Sequence, residues 1–111
     1  MSTNKPGASV LDELFAVIES RKGADPATSY TAKLFSKGRA HVAKKLGEEA
    51  VEAVIAATAQ ERSHVVSESA DVLYHLLVLW ADCGVTPAEV YAEIEKRKGT
   101  SGIDEKRKRG E

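Results

Sequence analysis

The fold is decided by residues 39–83, which read RAHVAKKLGEEAVEAVIAATAQERSHVVSESADVLYHLLVLWADC. Ala, Lys, Leu, Glu and Val dominate the first half of this stretch. These are good helix formers, so we predict one helix from about Arg39 to Ala59. A second helix is predicted from about Ser63 to Cys83, because Gly84 then stands where helices commonly end. Two long helices joined by a short polar segment near residue 60 form an antiparallel hairpin.

Helical signals continue on both sides of this hairpin. Before it, apolar residues at helical spacing form one stripe, and Ser9 with Asp12 resembles a capping box. The stripe consists of Leu11, Leu14, Phe15 and Ile18. Residues 30–36 are long enough for one or two further turns. After the hairpin, Thr86, Pro87 and Glu89 supply an N-cap, a proline at N1 and a glutamate at N3, which predicts a last helix that ends near Gly99.

No segment has the pattern of a strand of useful length, so the predicted fold class is all-α. We expect a bundle of four to five helices around the central hairpin. The 111 residues are enough for one domain. We predict a flexible N-terminus at residues 1–8, a helical domain at residues 9–98 and a basic C-terminal tail at residues 99–111.

Composition excludes several classes of protein. The 16 basic and 17 acidic residues nearly cancel, which argues against a nucleic-acid binder driven by net charge. The single cysteine, Cys83, excludes an internal disulfide. The N-terminus lacks the apolar stretch of a signal peptide, and the longest apolar run, residues 76–81, is far too short to cross a membrane. We therefore expect an intracellular protein with neither a nucleic-acid nor a membrane partner.

Carboxylates on the two long helices are the most informative side chains. Glu48, Glu49 and Glu52 lie within an arc of about 100° on the first helix, and Glu68 and Asp71 lie about 60° apart on the second. A hairpin that folds at residue 60 brings Glu49 level with Asp71 and Glu52 level with Glu68. The sequence thus predicts four or five carboxylates gathered at one place.

Acidic residues on helices usually form solvated faces, but the neighbours here favour a different interpretation. Apolar residues flank the acidic positions on both helices, so we expect both helices to be largely buried. Carboxylates gathered in an apolar setting need either raised pKa values or a bound cation. Oxygen ligands favour a hard ion, Mg²⁺ or Mn²⁺, over zinc. His64 and His75 share the face of Glu68 and Asp71, and we interpret them as hydrogen-bonding groups around the ligands.

A Mg²⁺ ion on a carboxylate cluster is typical of phosphate chemistry. Lys45 lies one turn before Glu48 and Glu49, where it is able either to form an intrahelical ion pair or to contact a phosphate. The segment Gly99-Thr100-Ser101-Gly102 offers amides and hydroxyls to a phosphate, although many such stretches are linkers.

The pattern of Glu-Glu-x-x-Glu followed by Glu-x-x-Asp resembles the all-α nucleotide pyrophosphohydrolase superfamily. Within this superfamily, four segments resemble the phosphoribosyl-ATP pyrophosphatase family. They are SYTAKL at 29–34, KKLGEEAVE at 44–52, ESADVLYH at 68–75 and RKGTSG at 97–102. The acidic motifs specify only the superfamily, whereas the first and last segments specify the family.

The resemblance implies Mg²⁺-dependent hydrolysis of phosphoribosyl-ATP to phosphoribosyl-AMP and pyrophosphate by a cytoplasmic homodimer, in which dimerisation completes the helical bundle. It assigns metal binding to Glu49, Glu52, Glu68 and Asp71, and catalytic roles to Glu48 and Glu49. It also implies a set of substrate-binding residues, partly in the basic tail. These are Tyr30, Thr31, Lys45, Arg97, Ser101 and Lys106. The residues after Glu105 depart from the family pattern, which puts the assignment of Lys106 in question.

Two alternatives stay open at this point. One is a housekeeping pyrophosphatase of the same superfamily that acts on non-canonical NTPs or dNTPs. The other is a non-enzymatic helical interaction module whose carboxylates are merely solvated; such a module predicts no effect of divalent ions on the melting temperature.

Overall fold

The computed structural model describes residues 7–99 together with residues 102, 106, 107, 109 and 110. The described residues form five α-helices and no strand, which confirms the all-α prediction. The helices are α1 (Ser9–Ser20), α2 (Tyr30–Lys37), α3 (Arg39–Ala59), α4 (Arg62–Cys83) and α5 (Pro87–Arg97). None of them combines the length and apolar character that a membrane-spanning helix requires.

The α3–α4 hairpin is the centre of the fold, as the sequence predicts. The other helices pack around it: α1 lies against α4, α2 lies against both α3 and α4, and α5 lies against α1. The buried core sits where α3 begins and α4 ends. It consists of Ile18, Leu34, Val42, Leu77, Val78 and Ala81. Of the stripe predicted on α1, Ile18 is buried and the other three residues pack against this core.

Local signals explain most helix ends. The Ser29 hydroxyl accepts a hydrogen bond from the Ala32 amide and caps α2. α4 ends at Gly84, whose φ of 74° suits glycine, and the Val85 amide donates to the Trp80 carbonyl in a Schellman motif. At α5, Thr86 and Glu89 form the predicted capping box.

The capping box predicted at Ser9 is wrong. Ser9 is already helical, the N-cap position is Ala8, and no side chain caps α1. Because the helix begins one residue earlier than a cap at Ser9 requires, Asp12 is not at the N3 position that a capping box uses.

The expectation that both long helices are largely buried is also wrong for a single chain. Along α3 only Val42 and Ala56 are buried. Several large apolar side chains of the hairpin are exposed by 41–62%. They are Val51, Val54, Ile55, Val66 and Leu73, and we call them the hairpin apolar face. Within the described residues, the other helices therefore leave part of the hairpin uncovered.

Candidate active site

Three carboxylates from the two long helices converge at one point. Glu49 on α3 and Glu68 and Asp71 on α4 each place a carboxylate oxygen within 4.8 Å of the others. Glu49 lies seven residues after buried Val42 and seven before buried Ala56, so it points along the same stripe towards α4. Glu49 and Glu68 are half-buried and Asp71 is exposed. The hairpin register predicted from the sequence thus produces an acidic cluster.

The cluster is electrostatically unfavourable while all its members are ionised. Burial raises the pKa of Glu68, and the negative charges of Asp71, Glu49 and Glu52 raise it further. Glu52 is exposed and lies outside the group of three, but it is close enough to act on Glu68. His64 partly opposes the shift. A cation at this place would remove the repulsion.

Glu48 differs from its neighbour Glu49 in its contacts. Its side chain is exposed, and a carboxylate oxygen lies 3.3 Å from Lys45 Nζ. The hydrogen bond with Glu48 is the main reason that the pKa of Lys45 is raised, followed by the influence of Tyr30 and the charges of Glu48 and Glu49. Lys45 therefore both pairs with Glu48 and lies within electrostatic reach of Glu49.

His75 connects the acidic cluster to α2. It is the buried polar residue of the core, with an exposed fraction of 5%. Its Nδ1 lies 2.8 Å from the main-chain carbonyl of Asp71. Because a carbonyl only accepts, Nδ1 carries the proton, and Nε2 of a neutral ring is left to accept. The Tyr30 hydroxyl lies 3.5 Å from Nε2, so the interpretation of His75 as a hydrogen-bonding group fits its geometry.

Aromatic packing continues this connection along α2. The rings of Tyr30 and Tyr74 stack at a centroid distance of 6.3 Å. The hydroxyls of Thr31 and Tyr74 are hydrogen-bonded to each other. Burial raises the pKa of the Tyr74 hydroxyl. Tyr30 and Thr31, two of the substrate-binding candidates, are thus held close to His75, which is hydrogen-bonded to the Asp71 carbonyl.

A cleft between α2 and α3 brings together cations that the sequence analysis did not single out. Tyr30 and Lys45 line it with Lys33, Lys37 and His41, and Leu34 is also part of its lining. The sequence does contain a pattern that indicates this cleft, since every fourth residue from position 33 to position 45 is basic. The recurrence is easy to miss, since Gly38 separates α2 from α3.

The other substrate-binding candidates belong to α5 or follow it in the sequence. Arg97 is in the last turn of α5, where its Nε lies 2.9 Å from a Glu93 carboxylate oxygen. Lys106 is exposed. Ser101 lies outside the described residues. The roles of these three residues stay predictions.

Comparison with known proteins relates this geometry to one family. Residues 11–98 match the phosphoribosyl-ATP pyrophosphohydrolase family. The chain is 64% identical to the phosphoribosyl-ATP pyrophosphatase of Paramagnetospirillum magneticum over 100 residues, which are 90% of this chain and 92% of that protein. It is 57% identical to the phosphoribosyl-ATP pyrophosphatase of Azospirillum brasilense over 109 residues, 98% of each chain. It is 62% identical to that of Parvibaculum lavamentivorans over 104 residues, 94% of this chain and 95% of that protein.

Proposed function

The chain belongs to the phosphoribosyl-ATP pyrophosphohydrolase family, and we propose that it hydrolyses phosphoribosyl-ATP to phosphoribosyl-AMP and pyrophosphate in the second step of histidine biosynthesis. The observation that carries this proposal is the convergence of Glu49, Glu68 and Asp71 within 4.8 Å. Hydrolysis of a phosphoanhydride needs its negative charge neutralised and a water positioned. A carboxylate cluster beside lysines is suited to both.

The acidic cluster fits a magnesium ion. Oxygens that bind one Mg²⁺ at about 2.1 Å lie no more than about 4.2 Å apart, so a separation of 4.8 Å needs only small side-chain adjustments. Burial and then the neighbouring negative charges raise the pKa of Glu68, and a dication would relieve the repulsion among these charges. We propose Glu49, Glu68 and Asp71 as ligands and Glu52 as a fourth, with Mn²⁺ as a possible substitute. When bound, the ion supplies charge neutralisation at the phosphates and lowers the pKa of a water molecule.

The remaining residues bind the substrate and handle a proton. The reaction consumes one water molecule and breaks the anhydride between the α and β phosphates. We assign either Glu48 or Glu49 to accept the proton of that water. Glu49 belongs to the acidic cluster and Glu48 is its neighbour on α3, so both carboxylates are close to a water molecule bound there. Tyr30 and Lys45, which line the cleft between α2 and α3, and Thr31, which is bonded to Tyr74, are assigned to substrate groups. Arg97, Ser101 and Lys106 are also assigned to substrate groups.

We further propose that the protein is a cytoplasmic homodimer. The cytoplasmic location rests on the biosynthetic role of the family. The homodimer is supported by the hairpin apolar face, whose five large side chains are 41–62% exposed in the single chain. Large apolar side chains exposed in this number favour a surface that another protein covers. A second copy that packs its own hairpin there would complete the bundle.

The test is pyrophosphate release in the presence of Mg²⁺, with phosphoribosyl-ATP, ATP and the common dNTPs compared at equal concentration. We expect turnover of phosphoribosyl-ATP to exceed that of the others. Preferential turnover of dNTPs would instead favour the housekeeping alternative and overturn the substrate assignment. If no substrate is hydrolysed and Mg²⁺ leaves the melting temperature unchanged, the interaction-module alternative is favoured.

A further inference from the structure

The cleft between α2 and α3 has a strongly cationic lining that the acidic cluster does not account for. Its volume is about 160 Å³, which corresponds to roughly five water molecules. Lys33, Lys37, His41 and Lys45 line it, and no carboxylate does. Glu48 pairs with Lys45, but neither Lys33 nor Lys37 has an ion-pair partner among the described residues. Within the part of the chain that the structure describes, Lys33 and Lys37 therefore bring positive charge to the cleft that no ion pair compensates.

Backbone geometry creates this concentration of charge. Residues 33, 37, 41 and 45 would lie in one row along a continuous helix, spread over about 18 Å at 1.5 Å per residue. Gly38 has a φ of 93°, which breaks the row into two pairs. The first pair is on α2, the second is on α3, and both border the same cleft. The pKa of His41 is lowered by burial and then by the nearby Lys37, Lys45 and Lys44, which is consistent with a strongly positive local potential.

Two cleft residues also connect it with the acidic cluster. Lys45 is one helical turn before Glu49, whose charge contributes to its raised pKa. The Tyr30 hydroxyl lies near His75, which is bonded to the Asp71 carbonyl. A ligand held at the acidic cluster would thus have the cleft beside it.

We propose that Lys33, Lys37 and His41, together with Lys45, form a separate phosphate-binding subsite that holds a phosphate group of the substrate away from the bond that is hydrolysed. This inference rests on the proposed function. The ligand class is a phosphate group, because three ammonium groups and an imidazole offer several donors around a space of this volume. Two phosphates of the substrate have this chemistry: the 5′-phosphate of the phosphoribosyl group and the terminal phosphate that leaves in pyrophosphate.

The test is steady-state kinetics with Lys33→Ala and Lys37→Ala, and Arg21→Ala serves as a matched control that removes an exposed cation outside the cleft. We expect each lysine variant to raise KM for phosphoribosyl-ATP by about tenfold, the usual effect of losing a charge-assisted hydrogen bond. We expect kcat to change little, because binding remote from the reacting bond is lost equally in the ground and transition states. Lys37→Arg should restore a KM near that of the wild type. If both alanine variants keep KM within twofold of the wild type, as Arg21→Ala should, the subsite is disproved.

Product inhibition distinguishes the two phosphates. If the cleft holds the phosphoribosyl 5′-phosphate, Lys37→Ala weakens inhibition by phosphoribosyl-AMP and leaves inhibition by pyrophosphate unchanged. If it holds the terminal phosphate, the reverse is observed. Unchanged inhibition by both products would contradict the proposal.

A binding measurement keeps this proposal separate from the proposed activity. Titration with inorganic phosphate, followed through the NMR signals of the His41 ring, should shift those signals in the wild type and much less in the Lys33→Ala/Lys37→Ala variant. This result would support an anion subsite even in a protein that failed to hydrolyse phosphoribosyl-ATP. Identical titrations of the two proteins would overturn it.

Discussion

Arg39, the first residue of α3, is bonded twice to Asp82, near the end of α4. Its Nε lies 2.8 Å from the Asp82 carboxylate, and its Nη2 donates to the Asp82 main-chain carbonyl at 2.9 Å. The mean of these two residue numbers is close to 60, and the same is true of Glu49 and Asp71. The bonds at the open end of the hairpin and the acidic cluster in its middle therefore depend on the same register.

Arg39→Ala should cause only a small loss of stability. The Arg39 side chain is 62% exposed, so water screens the ion pair, and buried Val42 and Val78 maintain the register. We expect the melting temperature to fall by no more than about 5 °C, with the stabilisation by Mg²⁺ retained. Lys98→Ala, which removes an ion pair exposed by about 70% on both sides, is the control and should change less. Loss of the Mg²⁺ response in Arg39→Ala would show that the ion pair, and not the core, sets the register.

Glu68→Gln should stabilise the metal-free protein at neutral pH. The pKa of Glu68 is raised by burial and by neighbouring carboxylates, so the folded state holds this proton more tightly than the unfolded state does. The resulting stability is fully present below the unfolded pKa, about 4.3 for Glu, and is lost as the pH rises through the folded pKa. Without metal at pH 7, the variant should thus melt at a higher temperature than the wild type.

The same variant should respond less to Mg²⁺, because it lacks one of the proposed ligands. Thermal unfolding with and without Mg²⁺ measures both effects, and Glu13→Gln on α1 is the matched control. A lower melting temperature of metal-free Glu68→Gln at pH 7 would be inconsistent with the electrostatic strain described for the cluster.

Gly38→Ala should destabilise the junction of α2 and α3. Nothing lies within 4 Å of a Cβ built at this position, so the cost comes from the φ of 93° and not from a clash. A non-glycine residue in such a conformation costs about 1–3 kcal/mol. Chemical denaturation should show that loss. Gly47→Ala, at a helical glycine with equally open surroundings, is the control and should be neutral or stabilising. Equal stability of the Gly38 variant and the wild type would contradict the strain argument.

Val54→Asp should shift the protein from dimer to monomer. Val54 is 62% exposed and belongs to the hairpin apolar face, so a charge there would be buried without a partner in the proposed interface. Sedimentation velocity measures the mass. Val10→Asp, at an apolar residue on α1 that is 48% exposed, should leave the dimer intact. A wild-type protein that sediments as a monomer at micromolar concentration would refute the dimer proposal.

The hairpin and its acidic cluster could be predicted from the sequence because each depends on helical periodicity. The spacing of Glu49, Asp71 and their neighbours determines which face of each helix carries them. It also determines which residues of the two helices lie side by side. Burial of the hairpin could not be predicted in this way, since an apolar pattern does not reveal whether the same chain or a second one covers it. Val51 and Val54 are apolar residues of a type that is usually buried, and yet both are exposed.

The cationic cleft was missed for a different physical reason. Lys33 and Lys37 have the ordinary spacing of a solvated helix face, and their convergence with His41 depends on the backbone conformation of Gly38. A single glycine between two helices indicates a break but does not determine the direction of the bend. The capping box predicted at Ser9 is wrong because α1 already includes Ser9, so that Asp12 does not stand at the third helical position.

If the acidic cluster is the metal site for phosphoribosyl-ATP hydrolysis, as proposed, its carboxylates are essential for turnover. The most direct test is pyrophosphate release from phosphoribosyl-ATP, in the presence of Mg²⁺, by the wild type and by Glu49→Gln and Asp71→Asn. The two amide variants should lose turnover while their far-ultraviolet circular dichroism stays helical. Full activity in either variant would contradict the assignment of the cluster.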